Sequence, residues 1–327
     1  KMIKDLCFEI IETCPNNCLF CSSCSSLDKL KMIDIEVFKK VIDHLVKKGG
    51  IEEISLSGGE PLLHPYIFEM IKYCKEKNIR VVLFTSGIVK NDNRYLGYLN
   101  PIERRIIKNN STNFKSISKQ NLLLLKEMEL DRIVFDFQGA EVDTYNYLMG
   151  TKNQFTYIAD SMLRASMIGL DVDVHFIPLK PNYKEFKDII EILEICGIKK
   201  ISVLNFVPQG RGEDNQDRLM LSNEEMLEFI KIYESVKDKF SGVIRVGIPL
   251  LSKDTHLCTA GLDKMVIKYD GTVLPCPAFK EYDTLILNKM GIKTPNIYTD
   301  LEKLEIHNGT RKKPLCKQLY GFDKSLK

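Results

Sequence analysis

The chain has 327 residues, of which 44% are hydrophobic and 28% charged, and this composition excludes a wholly disordered protein. Its 47 Lys and Arg residues nearly balance 44 Asp and Glu residues, so the formal net charge of +3 gives no strong nucleic-acid signal. No apolar run approaches the roughly 18 residues of a membrane span. The charged N-terminus is unlike a signal peptide. We therefore expect no membrane association and a cytoplasmic location.

Short apolar runs alternate with amphipathic stretches through the first two thirds of the chain. The predicted strands are 7–13, 52–57, 79–85, 132–138, 170–177 and 199–206. The predicted helices lie near 34–48, 65–77, 118–129, 152–168 and 183–196. Six strand–helix repeats indicate a parallel sheet with right-handed crossovers. A closed eight-stranded barrel needs about 250 residues. We therefore predict an α/β fold, a partial (β/α)6 TIM-like barrel over residues 1–212.

One connection, at about residues 88–118, is much longer than the others. Connections longer than roughly 15 residues in a compact domain are usually functional or mobile. This one leaves the end of the third strand, on the face where barrel active sites lie. It is either a cover over the substrate channel, formed with Arg94, Tyr95, Tyr98, Arg104 and Arg105, or a solvent-facing insertion.

Ten cysteines are unusual for a chain of this size, and three of them follow the first strand closely. Cys14, Cys18 and Cys21 are spaced by three and by two residues. Three thiolates on one loop can hold three corners of a 4Fe–4S cluster and leave one iron open. A structural zinc site needs a fourth ligand, which Cys24 could supply. The spacing alone therefore leaves both metals open.

A second motif, Ser57-Gly58-Gly59-Glu60-Pro61, closes the second strand. Glycines let backbone amides approach a ligand closely, and Glu60 can accept hydrogen bonds from an ammonium group. The motif ends its strand at the same barrel face as the cysteine loop, so the two can form one site.

Together the two motifs resemble those of the radical S-adenosylmethionine (SAM) superfamily. The resemblance implies that Cys14, Cys18 and Cys21 hold a 4Fe–4S cluster whose open iron binds SAM. It implies that reductive cleavage of SAM gives a 5′-deoxyadenosyl radical, which takes a hydrogen atom from the substrate. An electron donor such as flavodoxin or ferredoxin is implied as a partner. Phe20 corresponds to an aromatic residue near adenine, and Gly58, Gly59 and Glu60 to contacts with the methionine amino group.

Further SAM contacts are implied more weakly by comparison with the family's later strands. Ser86 lies in Thr85-Ser86-Gly87, where Thr-Asn-Gly is frequent. Asp136 stands where the family usually has Ser, and Gln138 where it usually has Asp. The usual Arg after this strand is missing, so Arg211 or Arg164 could bind the carboxylate of SAM. His175 is a candidate ligand contact or an ordinary core histidine.

The last third of the chain is predicted to comprise a linker with one helix, residues 213–257, and an auxiliary domain, residues 258–327. Ser222 and Glu225 form a capping box that begins the helix, which is predicted to end near Phe240. Asp270-Gly271 between alternating residues predicts a hairpin over 265–274.

Cys258, Cys276 and Cys316 form the second group of cysteines. With the Gly-x4-Cys hairpin they resemble a shortened SPASM or twitch domain, a small α+β unit that holds an auxiliary 4Fe–4S cluster. Such a cluster would have three cysteines and an open iron, or a fourth, distant ligand. Alternatively, the three are reduced core cysteines and bind no cluster.

The class of substrate is the last prediction. We expect a ribosomally made peptide that is epimerised or cross-linked, with oxidation or rearrangement of an amino sugar or nucleotide as the alternative. Cys24 is either a catalytic thiol that returns a hydrogen atom to the substrate or an ordinary loop residue. A zinc-stabilised binding protein without activity is the remaining possibility.

Overall fold

The computed structural model describes residues 2–90, 114–247, 258–280, 284–289, 291–307, 309–310 and 315. Its strands in chain order are β1 (Asp5–Ile11), β2 (Glu53–Gly58), β3 (Arg80–Thr85), β4 (Ile88–Lys90), β5 (Phe114–Ser116), β6 (Arg132–Asp136), β7 (Val172–Phe176), β8 (Lys200–Val203), β9 (Val243–Val246), β10 (Lys264–Ile267) and β11 (Val273–Leu274). Nine of them form one sheet in the order β11-β10-β1-β2-β3-β6-β7-β8-β9. All neighbours in it are parallel except β10 and β11. The predicted α/β fold with a parallel sheet is confirmed.

The helices follow the strands as crossovers. They are α1 (Ile35–Lys48), α2 (Ile67–Glu76), α3 (Lys119–Glu127), α4 (Val142–Met149), α5 (Phe155–Ile168), α6 (Phe186–Ile195), α7 (Arg211–Asp214), α8 (Gln216–Leu219), α9 (Asn223–Val236) and α10 (Thr284–Lys289). Five of them lie where the periodicity predicts helices. The capping box of Ser222 and Glu225 begins α9 as predicted, and α9 ends before Phe240, at Val236.

The sheet has one apolar face and one face with many polar residues. Along β1 the side chains of Leu6, Phe8 and Ile10 are fully buried in the core, where Phe8 packs on Phe38 of α1 with ring centroids 5.2 Å apart. The alternate side chains, Asp5, Cys7 and Glu9, point to the opposite face. We call this opposite side the cavity face, because it lines the pocket described below.

The hairpin predicted near the end of the chain is confirmed, and it also has a role in the main sheet. β10 and β11 pair antiparallel through Val266 with Leu274 and Ile267 with Val273. β10 also pairs in parallel with β1, Asp5 opposite Lys264. The hairpin therefore extends the sheet of the first domain, while the domain limits at residues 212 and 257 stay predictions.

Among the elements that the sequence did not predict are α4 and β9. Helix α4 has only eight residues, with four β-branched or aromatic side chains among its first six, and it buries Tyr145, Leu148 and Met149. Strand β9 has four residues, none of them fully buried. Both are too short for their periodicity to be recognised. In the described part of the chain, no helix combines the length and apolar character that a membrane crossing requires.

The long connection after β3 begins and ends as a two-stranded ribbon. β4 and β5 pair antiparallel, Ile88 opposite Ser116. The ribbon is fastened to α5 by Ser161, whose buried hydroxyl donates to Gly87 O at 2.6 Å and accepts from Ile117 N at 2.8 Å. Residues 91–113, including Arg94, Tyr95, Tyr98, Arg104 and Arg105, lie outside the described residues, so their role at the substrate channel stays a prediction.

We expect Ser161→Ala to lower the free energy of unfolding by about 1–3 kcal/mol, because it leaves a buried carbonyl and a buried N–H without partners. Urea denaturation would measure this change. Ser235→Ala is the matched control, since the exposed Ser235 hydroxyl also donates to a backbone carbonyl, at 2.7 Å. Equal effects of the two substitutions would contradict the fastening role of Ser161.

Candidate active site

A cavity of about 510 Å³ lies on the cavity face of the sheet, where the parallel strands end. Such a volume suits a cofactor or a drug-sized ligand. Its walls come from the cysteine loop, the strand ends and the segment after β11. The lining includes Cys14, Cys18, Phe20, Cys21, Gly58, Gly59, Ser86, Asp136, His175, Lys264 and Lys280. The two motifs singled out in the sequence therefore do meet in one place.

The cysteine loop is held by its own backbone against two distant segments. Asn17 N donates to Met149 O at 3.1 Å and Leu19 N to Leu148 O at 2.9 Å, both at the end of α4. Arg211 at the start of α7 donates from Nε to Cys18 O and from Nη2 to Ser25 O, each at 2.8 Å. Arg211 is not among the residues that line the cavity. Its position thus favours fastening of the loop over the predicted contact with SAM.

The three loop thiols lie close enough to influence one another. Burial raises the pKa of Cys18 well above its ordinary value, and the neighbouring Cys21 and Cys14 raise it further. Burial also raises the pKa of Cys14. Both ionise readily only when a cation compensates the thiolates, as the irons of a cluster do.

Unpaired polar atoms beside these thiols agree with a site built for a bound group. Both side-chain atoms of Asn16 and the hydroxyl of Ser25 are buried, and they have no hydrogen-bond partner among the described residues. Both residues line the cavity. Buried polar groups are nearly always paired, so unpaired ones call for a ligand or ordered water. The residues present therefore fit a 4Fe–4S cluster with SAM.

The described residues include no set of three His, Cys, Asp or Glu side chains arranged to hold a metal ion. A 4Fe–4S cluster does not need such a set around one ion, since each of its cysteines binds a different iron atom.

The two glycines after β2 permit an approach that no side chain would allow. A Cβ on Gly58 would lie 2.2 Å from Ile11 O, and one on Gly59 would lie 2.1 Å from Thr13 O. Gly59 N donates to Ile11 O at 2.6 Å and Glu60 N to Thr13 O at 2.8 Å. The sequence suggested close approach to a ligand. The structure adds that these glycines bring the end of β2 against the start of the cysteine loop.

Glu60 is buried and connects the ends of β2 and β3. Its Oε1 accepts from Leu62 N at 3.0 Å and Thr85 Oγ1 at 2.8 Å. Its Oε2 accepts from the backbone N and the hydroxyl of Ser86, at 2.7 and 2.6 Å. Burial raises the pKa of Glu60, and these donors oppose the rise. Glu60 is not among the cavity-lining residues, whereas Ser86 is. The predicted contact of Glu60 with SAM stays a prediction, and the structure shows Glu60 holding the ends of β2 and β3 together.

Asp136 and Gln138 have different positions at the end of β6. Asp136 lines the cavity, and burial raises its pKa to about 6, although a hydrogen bond from Gln138 Nε2 opposes the rise. Gln138 is buried and is not a lining residue; its Nε2 donates to His175 O at 3.1 Å and its Oε1 accepts from Ile177 N at 2.9 Å. Asp136 therefore faces the cavity, and Gln138 holds the loop after β7 to β6.

His175 lies on the cavity face of β7, between the main cavity and a second one of about 270 Å³. Its ring meets Phe84 edge-on with centroids 5.2 Å apart. Burial, together with the charges of Arg245 and Arg132, lowers its pKa to about 4. His175 is therefore neutral at pH 7 and can contact a ligand without adding charge.

Cys24, the fourth cysteine of the loop, and Cys7, the first cysteine of the chain, differ in whether they line the cavity. Cys24 has a positive φ of 49°, and a Cβ on Gly210 would lie 2.8 Å from its Sγ. Cys24 is not among the cavity-lining residues, so its catalytic role stays a prediction. Cys7 on β1 lines the cavity, with its Sγ 3.4 Å from Ser57 Oγ.

Two cysteines of the second group lie in the described part of the chain. Cys258 is buried and Cys276 half-buried, and both contact a small apolar cluster that includes Val266 and Phe279. Burial raises the pKa of Cys276, and Cys258 contributes to the rise. The two thiols are thus neighbours. Cys316 lies outside the described residues.

Sequence reasoning missed four charged residues of the cavity wall, Asp5, Glu9, Lys264 and Lys280. Period-two alternation along β1 places Glu9 on the same face as Asp5 and Cys7, which was a usable signal. The sequence gives no such signal for Lys280, because its position depends on how the segment after Cys276 folds back onto β1.

Comparison with known families agrees with this geometry. The sequence pattern of the Radical SAM superfamily matches residues 8–193. PqqA peptide cyclase of Methylorubrum extorquens (strain PA1) is 24% identical over 276 residues, which is 83% of this chain and 65% of that protein. The antilisterial bacteriocin subtilosin biosynthesis protein AlbA of Bacillus subtilis (strain 168) is 27% identical over 84% of this chain and 55% of that protein. The chain thus spans less than two thirds of the length of these curated relatives.

Several solved structures share the fold, and two of them illustrate the similarity to this chain. Streptococcus suis SuiB bound to the precursor peptide SuiA has a TM-score of 0.65 at 15% identity, covering 98% of this chain and 65% of that one. The protein anSMEcpe with bound AdoMet and the Cp18Cys peptide has a TM-score of 0.62 at 16% identity, covering 93% of this chain and 79% of that one.

We expect Glu60→Gln to lower the thermal stability of the protein even without SAM. The amide NH2 of Gln would face hydrogen-bond donors that now bind a carboxylate oxygen, at a cost of about 1–3 kcal/mol. Glu191→Gln, which changes an exposed residue 3.7 Å from Lys187, is the control. Unchanged stability of the Glu60→Gln protein would argue that Glu60 serves only to bind a ligand.

Proposed function

The chain belongs to the Radical SAM superfamily of enzymes, and on that premise we propose that it modifies a ribosomally made peptide, by epimerisation or cross-linking. The observation that carries the proposal is the convergence of three thiols and two groups of unpaired polar atoms on one cavity. Relatives whose names refer to peptides or a bacteriocin, and a structural neighbour bound to a precursor peptide, support the class of substrate.

Each part of the cavity has a distinct task in this proposal. Cys14, Cys18 and Cys21 would hold the 4Fe–4S cluster, which would supply the one-electron chemistry for reductive cleavage of SAM. Asn16, Ser25 and the strand-end residues then hold SAM through hydrogen bonds.

The strand ends supply orientation and exclude water. Ser86 is positioned by Glu60, as described above, and offers its hydroxyl at the cavity wall. Phe20 and Phe84 cover apolar parts of the wall. Asp136, with a pKa of about 6, is mostly ionised at pH 7 and can accept hydrogen bonds from hydroxyl groups. A dry wall of this kind protects a reactive carbon radical from side reactions.

The segment after β11 closes the other side of the cavity through Pro277, Ala278 and Lys280. Gln209 Nε2 donates to Pro277 O at 3.3 Å and so joins this segment to the loop after β8. The adjacent Cys258 and Cys276, with Cys316, are proposed to hold an auxiliary 4Fe–4S cluster next to the substrate.

Peptide modification can be tested without knowing the natural substrate. Anaerobically reconstituted protein, SAM and a strong reductant are incubated in D2O with synthetic dodecapeptide pools, one pool for each amino acid fixed at the centre. We expect at least one pool to gain a deuterium, as in epimerisation, or to lose two hydrogens, as in cross-linking. 5′-Deoxyadenosine should form at the same time.

The triple variant Cys14→Ala, Cys18→Ala, Cys21→Ala is the control for this assay and should form neither product. Undiminished SAM cleavage by the variant would overturn the cluster assignment. SAM cleavage by the unaltered protein without any change of mass in any pool would overturn the peptide assignment and favour a small-molecule substrate.

Iron analysis tests the auxiliary cluster separately. Two 4Fe–4S clusters predict about eight irons per chain, and the triple variant should keep about four. Complete loss of iron from the triple variant would show that Cys258, Cys276 and Cys316 hold no cluster.

A further inference from the structure

Glu9 and Lys280 form a buried ion pair on the wall of the cavity. Glu9 lies on β1 and is 1% exposed, and Lys280 is 12% exposed. Lys280 Nζ contacts Glu9 Oε1 directly. The Ser23 hydroxyl donates to the same oxygen at 2.9 Å and lies 3.4 Å from the ammonium group. All three residues line the cavity.

The second carboxylate oxygen of Glu9 accepts no hydrogen bond from the described residues. Glu9 Oε2 is buried and has no hydrogen-bond partner in the part of the chain that the structure describes. Leaving a buried carboxylate oxygen unpaired costs more than leaving a neutral group unpaired. On a cavity wall, such an oxygen points to a ligand that supplies a donor.

Lys280 keeps its charge in this environment. Burial alone would lower the pKa of Lys280, but the carboxylate of Glu9 and the neighbouring Cys7 raise it above its ordinary value. The ammonium group has three protons, of which Glu9 and Ser23 account for two. The wall therefore offers an acceptor and a donor side by side.

The location suits a substrate more than a cofactor. Ser23 follows the cysteine loop by two residues, and Lys280 follows Cys276 by four. The pair thus lies where the cysteine loop, β1 and the segment after β11 meet. Of the residues proposed for SAM, Gly58, Ser86 and Asp136 come from the ends of other strands, and Asn16 and Ser25 come from the cysteine loop.

We propose that Glu9 and Lys280 anchor one backbone amide unit of the substrate peptide. Glu9 Oε2 accepts a hydrogen bond from the amide N–H, and Lys280 donates its remaining proton to the carbonyl oxygen. A peptide unit carries this donor and acceptor at adjacent positions, the complement of the pair. The inference rests on the proposed function, since it names the part of the cavity that binds the peptide.

A purely structural ion pair would also be buried, so the experiment must separate the two roles. Glu9→Gln keeps the shape of the side chain. With the amide oxygen facing Lys280, the NH2 group replaces Oε2 and presents a donor where the peptide N–H needs an acceptor. The double variant Glu9→Gln, Lys280→Met removes both charges and leaves no buried charge unpaired. Replacing both partners often restores stability, whereas removing one does not.

Binding is measured by fluorescence anisotropy of the fluorescein-labelled dodecapeptide pools, with reconstituted holoenzyme and SAM but no reductant. We expect both variants to weaken binding by roughly tenfold or more, the loss of one charged hydrogen bond. The double variant should bind peptide weakly even though its thermal stability and SAM binding are near those of the unaltered protein. Asp171→Asn is the matched control. It breaks the ion pair between Asp171 and Lys200, which are 2.6 Å apart and do not line the cavity, and it should bind peptide like the unaltered protein.

The outcomes separate this inference from the proposed function. Weakened binding in the double variant supports the anchor even if no pool is chemically altered. Binding by the double variant equal to that of the unaltered protein overturns the anchor even if a pool is modified. Failure of the unaltered protein to bind any pool also overturns it.

Discussion

The site depends on a close contact between the backbone at the end of β2 and the backbone that leads from β1 into the cysteine loop. The contact is too close to leave room for a side chain at either glycine of β2's end. The end of β2 reaches the start of the cysteine loop only because positions 58 and 59 lack a Cβ, which would otherwise lie about 2 Å from a carbonyl oxygen. The two hydrogen bonds formed there fix the direction in which the loop leaves β1. The positions of all three loop thiols, and of the cavity between them and the sheet, follow from that direction.

Local patterns in the sequence were sufficient for most of the fold. The six core strands and five of the helices have apolar residues at regular spacing, so their positions could be read within a few residues. The cysteine loop and the Gly-Gly-Glu motif were also recognisable, because parallel strands bring their carboxyl ends to one edge. α4 and β9 were missed because packing on neighbours, more than their own sequence, determines their structure.

Side-chain roles that depend on distant partners could not be predicted. Glu60 accepts hydrogen bonds from donors at the end of β3, and Arg211 donates to carbonyl groups of the cysteine loop, and the motifs indicate neither set of partners. Lys280 meets Glu9 only after nearly the whole chain has folded. A motif indicates which functional groups are present. The surrounding hydrogen bonds decide which of those groups remain without a protein partner and can bind a ligand.

The parallel pairing of β1 with β10 has a consequence for how the protein forms. β1 is made long before β10, its partner on one side, so that edge of β1 carries unpaired N–H and C=O groups until β10 has been made. Contacts between distant parts of a chain form slowly, and exposed edges can pair with other chains. The hairpin that covers this edge of β1 also leads into the segment that places Lys280 on the cavity wall, so completion of the sheet and of this wall are linked.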